Sequence, residues 1–448
     1  MEIYYENLDE LLKWDGLKVG FVASSKGMSI NLVNHALYKN ALNLVKLYDD
    51  FDLCEFNVVI ISNDIDEIYL KKVWNKFDKY LQNGGILVNF ASNHFDLIPG
   101  AKPYIQSPYS IKDRFIKESD FEIFKGVSEY DMNYRRGVKG FFNRGYIIPP
   151  LGSFCVLKDC YDECICYIDT KSSNGVIINT AGSCLLSYGI FENTTSRRMG
   201  INFLKFLQKI VSLDKNDIKY PEFEVAKYKE LDNSENVHLK RLSDIKKNKS
   251  LKNAIITGGS NYHLNFFKNK NAKYENFFDK VIYQFDLENE DISKFDYLVI
   301  ASRCSDEILS KSKEKLNEFT KNGGYIVSLG DSHSSYLPNI KWNDYPVNFW
   351  WWIMPGANMS LFPYENHELF KTLDLSDCKW HYHGGYIAPK GSEKILINEI
   401  GESIIYKYKN HYITSLDPDY HFGQGFMPKT ELFFDRFIEW IEKDISKK

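Results

Sequence analysis

The chain has 448 residues, 44% hydrophobic and 26% charged, with a formal net charge of −4, so it is a folded protein too long for one ordinary core. Both charge signs are interspersed, which leaves no electrostatic footprint for nucleic acid or a membrane surface. No run approaches about 18 consecutive apolar residues, and the start, Met1 to Glu6, lacks the basic-then-apolar layout of a secretory signal, so a cytoplasmic protein is expected.

Residues 1–16 read as a short leader. Leu17 to Ala23 is the first buried strand, and a helix follows from about Ser29 to Tyr38. Leu42 to Tyr48 alternates as a strand does, and Phe56 to Ser62 is a third strand. From Asp66 to Leu81 the apolar residues Ile68, Leu70, Val73, Trp74, Phe77 and Leu81 fall at helical spacing. That helix runs into Asn83-Gly-Gly, a glycine stop. Next come a short apolar strand and a small-residue bend, Ile86 to His94.

The same order returns in the second half. Leu251 to Thr257, Lys280 to Phe285 and Phe295 to Ala301 match the first three strands, and Asp306 to Phe319 matches the helix. Asn322-Gly-Gly then leads into a strand and the bend Gly330-Asp-Ser-His333, at the same spacing as Asn83 to His94. Further matches are Phe121 to Lys125 with His367 to Lys371, Gly145 to Ile147 with Gly385 to Ile387, and Val176 to Thr180 with Tyr412 to Leu416. Each half closes on an amphipathic helix, Ile201 to Val211 and Glu431 to Ile441. So many matches in one order point to an internal duplication. Strand–helix alternation predicts two tandem doubly wound α/β domains with parallel sheets. The expected boundaries are 1–212 and 251–448. Between them, residues 213–250 are rich in Lys, Asp, Glu and Asn and read as a linker, with a short strand near Phe223 to Val225.

Thr257-Gly-Gly-Ser-Asn-Tyr-His263, the Gly323 to His333 strand and bend, and Tyr412 to His421 before the last helix together resemble the class I glutamine amidotransferase-like superfamily. The resemblance is closest to its ThuA-like branch, associated with trehalose and other sugars. It covers most of 251–443 and, more weakly, 17–211. It implies a flavodoxin-like fold and a carbohydrate ligand. In working amidotransferases the bend carries a nucleophilic cysteine; here it is Gly330-Asp331-Ser332-His333 or Ala91-Ser92-Asn93-His94. Glutaminase chemistry needs a thiolate activated by a base, so that activity is not expected. Cys184 follows the wrong strand to substitute.

Seven of the ten histidines lie at or beyond His263. His263, His333 and His421 follow different strands, whose carboxyl ends converge on one crevice in this fold. His381 and His383 sit on a later loop, with Asp331, Asp417 and Asp419 as carboxylates. Such a set suits general acid–base chemistry or a divalent metal; ordinary loop hydrogen bonds are the plain alternative. The catalytic candidates are therefore His263, His333, His421, Asp331 and Ser332, for a hydrolase or isomerase acting on a sugar. Ser332 beside His421 would put oxygen where the amidotransferases have sulfur, which further requires an orienting acid and an oxyanion hole. The expected ligand-binding residues are Gly258, Gly259, Trp350, Trp351, Trp352, His381, His383, Asp417 and Asp419.

Three consecutive tryptophans cannot all face inward; Trp350 to Trp352 either stack on a sugar or plug an interface. The competing reading is a non-catalytic scaffold whose tryptophans dock a partner protein. A homo-oligomer fits either reading. Cys155, Cys160, Cys164 and Cys166 lack the paired spacing of a zinc site, and buried apolar thiols are expected. In the first repeat, Ala181-Gly-Ser183 stands where the second has Asp417-Pro-Asp419, so a ligand site is expected only in the second. Arg135, Arg136 and Arg144 are the anion-binding candidates there.

Overall fold

In a computed structural model the described residues are 13–24, 27–109, 111, 113–135, 138–139, 144–191, 195–220, 240–331, 336–337, 339–345, 360–380, 382–425 and 427–447. The chain forms two compact units, Met1–Val237 and His238–Lys448. The expected strand near Phe223, and Trp350 to Trp352, Ser332, His333 and His381, lie outside the described residues.

The first unit carries a seven-stranded sheet built from β1 (Val19–Ala23), β2 (Leu42–Lys46), β3 (Val58–Ile61), β4 (Ile86–Asn89), β5 (Phe154–Lys158), β6 (Cys164–Asp169) and β7 (Val176–Thr180). Their order is β2-β1-β3-β4-β7-β6-β5. The first five are parallel; β6 and β5 extend the sheet antiparallel. In the parallel part the first, third, fourth and seventh strands are buried along their whole lengths, as a sheet covered on both faces requires. Helices α1 (Gly27–Val33), α2 (Glu67–Lys72), α3 (Trp74–Gln82), α4 (Leu185–Phe191) and α5 (Arg198–Val211) accompany them.

The second unit repeats the plan. Its strands are β8 (Asn253–Thr257), β9 (Lys280–Tyr283), β10 (Tyr297–Ile300), β11 (Tyr325–Ser328), β12 (Trp342–Asp344), β13 (Leu361–Pro363), β14 (Gly384–Tyr386), β15 (Glu393–Asn398), β16 (Ser403–Tyr408) and β17 (His411–Thr414). The order is β9-β8-β10-β11-β17-β16-β14-β12, with β15 joining β16 to β13. Again five strands are parallel and the remainder antiparallel. Its helices are α6 (Asn261–Ala272), α7 (Asp306–Lys311), α8 (Lys313–Lys321), α9 (Pro418–Gly423) and α10 (Lys429–Ser446). Ile255, Val299 and Val327 face one core while Ala254, Ile256, Leu298, Ile300 and Ile326 face another. That alternation is the two-residue period of strands buried on both sides. Both units are α/β and flavodoxin-like.

Two details depart from the periodicity. The single helix expected before each Asn-Gly-Gly turn is broken once, at Val73 (φ −106°, ψ 11°) and at Ser312 (φ −97°, ψ 11°). Apolar spacing carries through a break that shifts the backbone by less than a turn. In addition, part of the stretch read as a linker is fastened to the second unit. Leu242 N donates to Glu431 and Asn248 N to Glu442, both on α10, and Ser243 bonds Asp435. Among the described residues no helix is long and apolar enough to cross a membrane.

Candidate functional site

The site of the second unit is built at the carboxyl ends of β8, β10, β11 and β17. After β10 the chain turns sharply at Arg303, a non-glycine residue at φ +59°. That backbone costs an L-residue roughly 1–2 kcal/mol, and it places a guanidinium over the strand ends. One face of the guanidinium lies 3.7 Å from the centre of the Tyr420 ring. Its Nη2 donates to Asp417 Oδ2 at 3.0 Å and to His383 Nε2 at 3.1 Å. A guanidinium only donates, so His383 Nε2 carries a lone pair here. The Arg303 side chain is 27% exposed and the Asp417 side chain 3%, a cation at the surface held by a buried anion.

Around this pair the strand ends close in. Gly330, at φ +72°, lies where a Cβ would come 2.6 Å from Ser302 Cβ and 3.4 Å from Asp417 Cβ. Only glycine fits the bend, and Tyr386 fixes it by donating to its carbonyl at 2.8 Å. Asp419 Oδ2 accepts from Ser302 N at 2.9 Å and Ser302 Oγ at 3.1 Å. His421 Nε2 stands 3.1 Å from Asp417 Oδ1, and charge and hydrogen bond together couple the two side chains. Trp380 meets the His421 ring edge to face at 6.5 Å. Asp331, on the bend itself, is half-buried, and its charge helps hold Arg303 ionised.

His263 enters from helix α6. Its Nε2 donates to the Ser302 carbonyl at 2.8 Å, since a carbonyl can only accept. The ring packs so closely on Gly258 that a Cβ there would sit 2.9 Å from His263 Cε1 and Nδ1. Gly259 is buried beside it. Burial pushes the His263 imidazole down to about 4, with the Arg303 charge adding to it against the Ser302 bond. The two aspartates are driven apart. Burial raises both, but at Asp417 the charges of His421 and Arg303 outweigh it and hold the carboxylate well below its usual range. At Asp419, burial and then the Asp417 charge push the carboxyl up to about 7. One acid is thus kept ionised and its neighbour is poised to hold a proton near neutrality, the split that assigns base and acid roles in carboxylate pairs.

Of the residues expected from sequence, the structure brings together His263, Asp331, His383, Asp417, Asp419 and His421, with Gly258 and Gly259 beneath. Arg303, Ser302, Tyr420 and Trp380 were missed. Arg303 follows its strand as directly as any of the histidines, and strand ends examined for every polar type would have included it. Among the described residues no group of three or more His, Cys, Asp or Glu is arranged to hold a metal ion.

The first unit differs at each charged position. The strand registers pair Leu87 with Ile177 and Ile326 with His411, which sets Ser183 against Asp417, Leu185 against Asp419 and Ser187 against His421. This corrects the sequence alignment, which set Ala181-Gly-Ser183 against Asp417-Pro-Asp419; small residues alone do not fix a register. By the same logic, from Ile61–Asn89 and Ile300–Ser328, Asp64 stands where Arg303 does. In place of the ion cluster there is an amide network: Asn89 Nδ2 donates to Asn93 at 2.6 Å and Asn179 at 2.7 Å, and Asn179 Nδ2 to Tyr167 at 3.0 Å. Glu67, fully buried, accepts from the N–H groups of His94 at 2.7 Å and Phe95 at 3.3 Å. Arg144 is described and Arg135 only in its backbone; Arg136 lies outside the described residues.

No protein-family model and no curated protein sequence matches the chain. Among solved structures it is similar to a glutamine amidotransferase from Thermotoga maritima, at 10% identity and a TM-score of 0.27, over 45% of this chain and 86% of that one.

Proposed function

We propose that the second unit binds a small polar ligand, a carbohydrate, at the mouth above Arg303, and acts on it by acid–base chemistry. The observation that carries this reading is the partly exposed Arg303 guanidinium, held by Asp417 and His383 over the strand ends. Hydroxyl-rich ligands are recognised by charged donors and acceptors fixed in this way on a rigid scaffold. Asp419 supplies a proton near neutral pH and Asp417 remains the ionised partner, which suits hydrolysis or isomerisation. The bend after β11 offers Gly330 and Asp331 where glutaminase chemistry needs a thiol, so the protein has no glutaminase activity. The common strand order of the two sheets supports descent from one copied α/β unit, with the site kept in the later copy.

The test is calorimetric titration and thermal shift against a monosaccharide and disaccharide panel, on the wild type, Arg303→Met, His421→Ala and His94→Ala. At least one sugar is expected to bind the wild type, to lose more than tenfold in affinity with Arg303→Met or His421→Ala, and to keep it with His94→Ala. Equal losses at His94 and His421, or no response to any sugar, would overturn the reading.

A further inference from the structure

Cys155 on β5 and Cys164 on β6 are free thiols whose sulfurs stand 3.0 Å apart. That is closer than the ~3.5–4.0 Å at which non-bonded heavy atoms settle, and about 1 Å from the ~2.05 Å of an S–S bond. The approach is produced by two irregularities in the strand pairing. Lys158 pairs with Cys164, Leu157 with Cys166 and Cys155 with Tyr167, so residues 165 and 156 are each skipped. The neighbouring turn is anchored independently, because Arg114 Nε donates to Asp159 at 2.7 Å and to Glu163 at 3.0 Å. The two cysteines are therefore held together by a rigid hairpin.

We propose that Cys155 and Cys164 are a thiol pair that a hydroperoxide converts to an intramolecular disulfide, making the outer hairpin of the first unit an oxidation-responsive site. The two sulfurs have different roles. Cys155 lies on the outermost strand of the sheet and is partly exposed, whereas Cys164 is buried. Burial lifts the Cys164 thiol well above its usual range, so solvent oxidants meet Cys155 first. The Cys155 thiolate attacks the hydroperoxide, the O–O bond breaks, and Cys155 becomes a sulfenic acid while an alcohol leaves, or water when the oxidant is hydrogen peroxide. The Cys164 sulfur then displaces the sulfenic hydroxyl. An S–S bond forms, and the thiol proton leaves with that hydroxyl as water. Two thiols are oxidised by two electrons in all, and the peroxide is reduced by the same two.

The experiment treats the full-length protein with equimolar hydrogen peroxide, unfolds it in urea, alkylates the remaining thiols with a maleimide, and maps peptides by mass spectrometry. Of eight cysteines, two are expected to escape alkylation and to appear as one cross-linked Cys155–Cys164 peptide lighter by two hydrogens. Dithiothreitol should restore both. In Cys164→Ser the sulfenic acid at Cys155 is expected to persist and to be captured by dimedone. The wild-type result stands alone should that variant fold poorly. Sulfinic or sulfonic acid at Cys155 without a cross-link, pairing of Cys155 with a different cysteine, or full alkylation of both after treatment would each overturn the proposal.

Discussion

Two sheets that share the order of their parallel strands end in opposite chemistry. Where the second unit gathers Arg303, Asp417, Asp419 and His421, the first has Asp64, Ser183, Leu185 and Ser187 at the corresponding positions and ties its strand ends with Asn89, Asn93 and Asn179. The scaffold is indifferent to which set it carries, because buried parallel strands supply the fold in both. Neutral amides bonded to one another satisfy buried polarity cheaply, whereas a buried carboxylate needs its cation in place. A cluster of ions above an otherwise sufficient core is therefore read as a site and not as a structural necessity.

The largest expected break in this comparison is at the ion pair. Arg303→Met removes one of the two cationic partners of Asp417, leaving His421, and should lower stability by about 3 kcal/mol in urea unfolding. Ser183→Ala, at the matching place in the first unit, should be neutral or slightly stabilising, since that hydroxyl has no hydrogen-bond partner among the described residues. Adding Asp417→Asn to Arg303→Met should recover much of the loss. A Ser183 effect as large as that of Arg303 would erase the distinction between the units.

Next comes pH. His263 is held near 4 against an ordinary 6.5, so between those values the unfolded chain binds the extra proton, and stability falls as pH drops from 6.5 toward 4. Asp419 is held near 7 against 3.8, so the folded chain binds the extra proton, and stability falls as pH rises from 3.8 toward 7. Each contribution is on the order of 3 kcal/mol, and their slopes oppose one another. Relative to the wild type, His263→Asn should tilt the pH dependence toward a decline of stability with rising pH, and Asp419→Asn toward a rise, both read as urea midpoints between pH 4 and 7. Unchanged slopes in both variants would remove the electrostatic account of the site.

Smaller effects sharpen the geometry. Gly258→Ala places a methyl 2.9 Å from the His263 ring and should cost about 1–3 kcal/mol as that ring is displaced, with weakened ligand binding. Arg303→Gly should be more stable than Arg303→Ala by about 1 kcal/mol, because glycine accepts φ +59° without the Cβ penalty. Equal stabilities would mean that the turn relaxes when the guanidinium is gone.

Much of the scaffold was legible in the sequence. Two Asn-Gly-Gly turns at matched distance from apolar runs mark the central strands, and glycine at the end of a helical period fixes where each strand begins. The antiparallel extension was legible only at Cys164 to Tyr167, where alternation is clear; short strands such as β12 and β13 carry too few residues to show a period. Within the site, His263, Asp331, Asp417, Asp419 and His421 were visible because they follow strands. Arg303 follows β10 in the same way and was equally legible by position; only its left-handed backbone leaves no mark in the sequence. Nor could spacing show that Asp417 and Asp419, two residues apart, would be shifted in opposite directions; that follows from which of them faces His421 and Arg303.

The row of acids on α10 sets a practical limit on dissecting the chain. Glu431 and Asp435 are buried, and among the groups that meet them are Lys270, Lys273, Tyr274, Ser243 and the Leu242 amide. A recombinant fragment cut at residue 251, just before β8, would discard the 241–248 strap and leave that helix face half-dressed. The second unit is best excised with its upstream strap retained, from about His238.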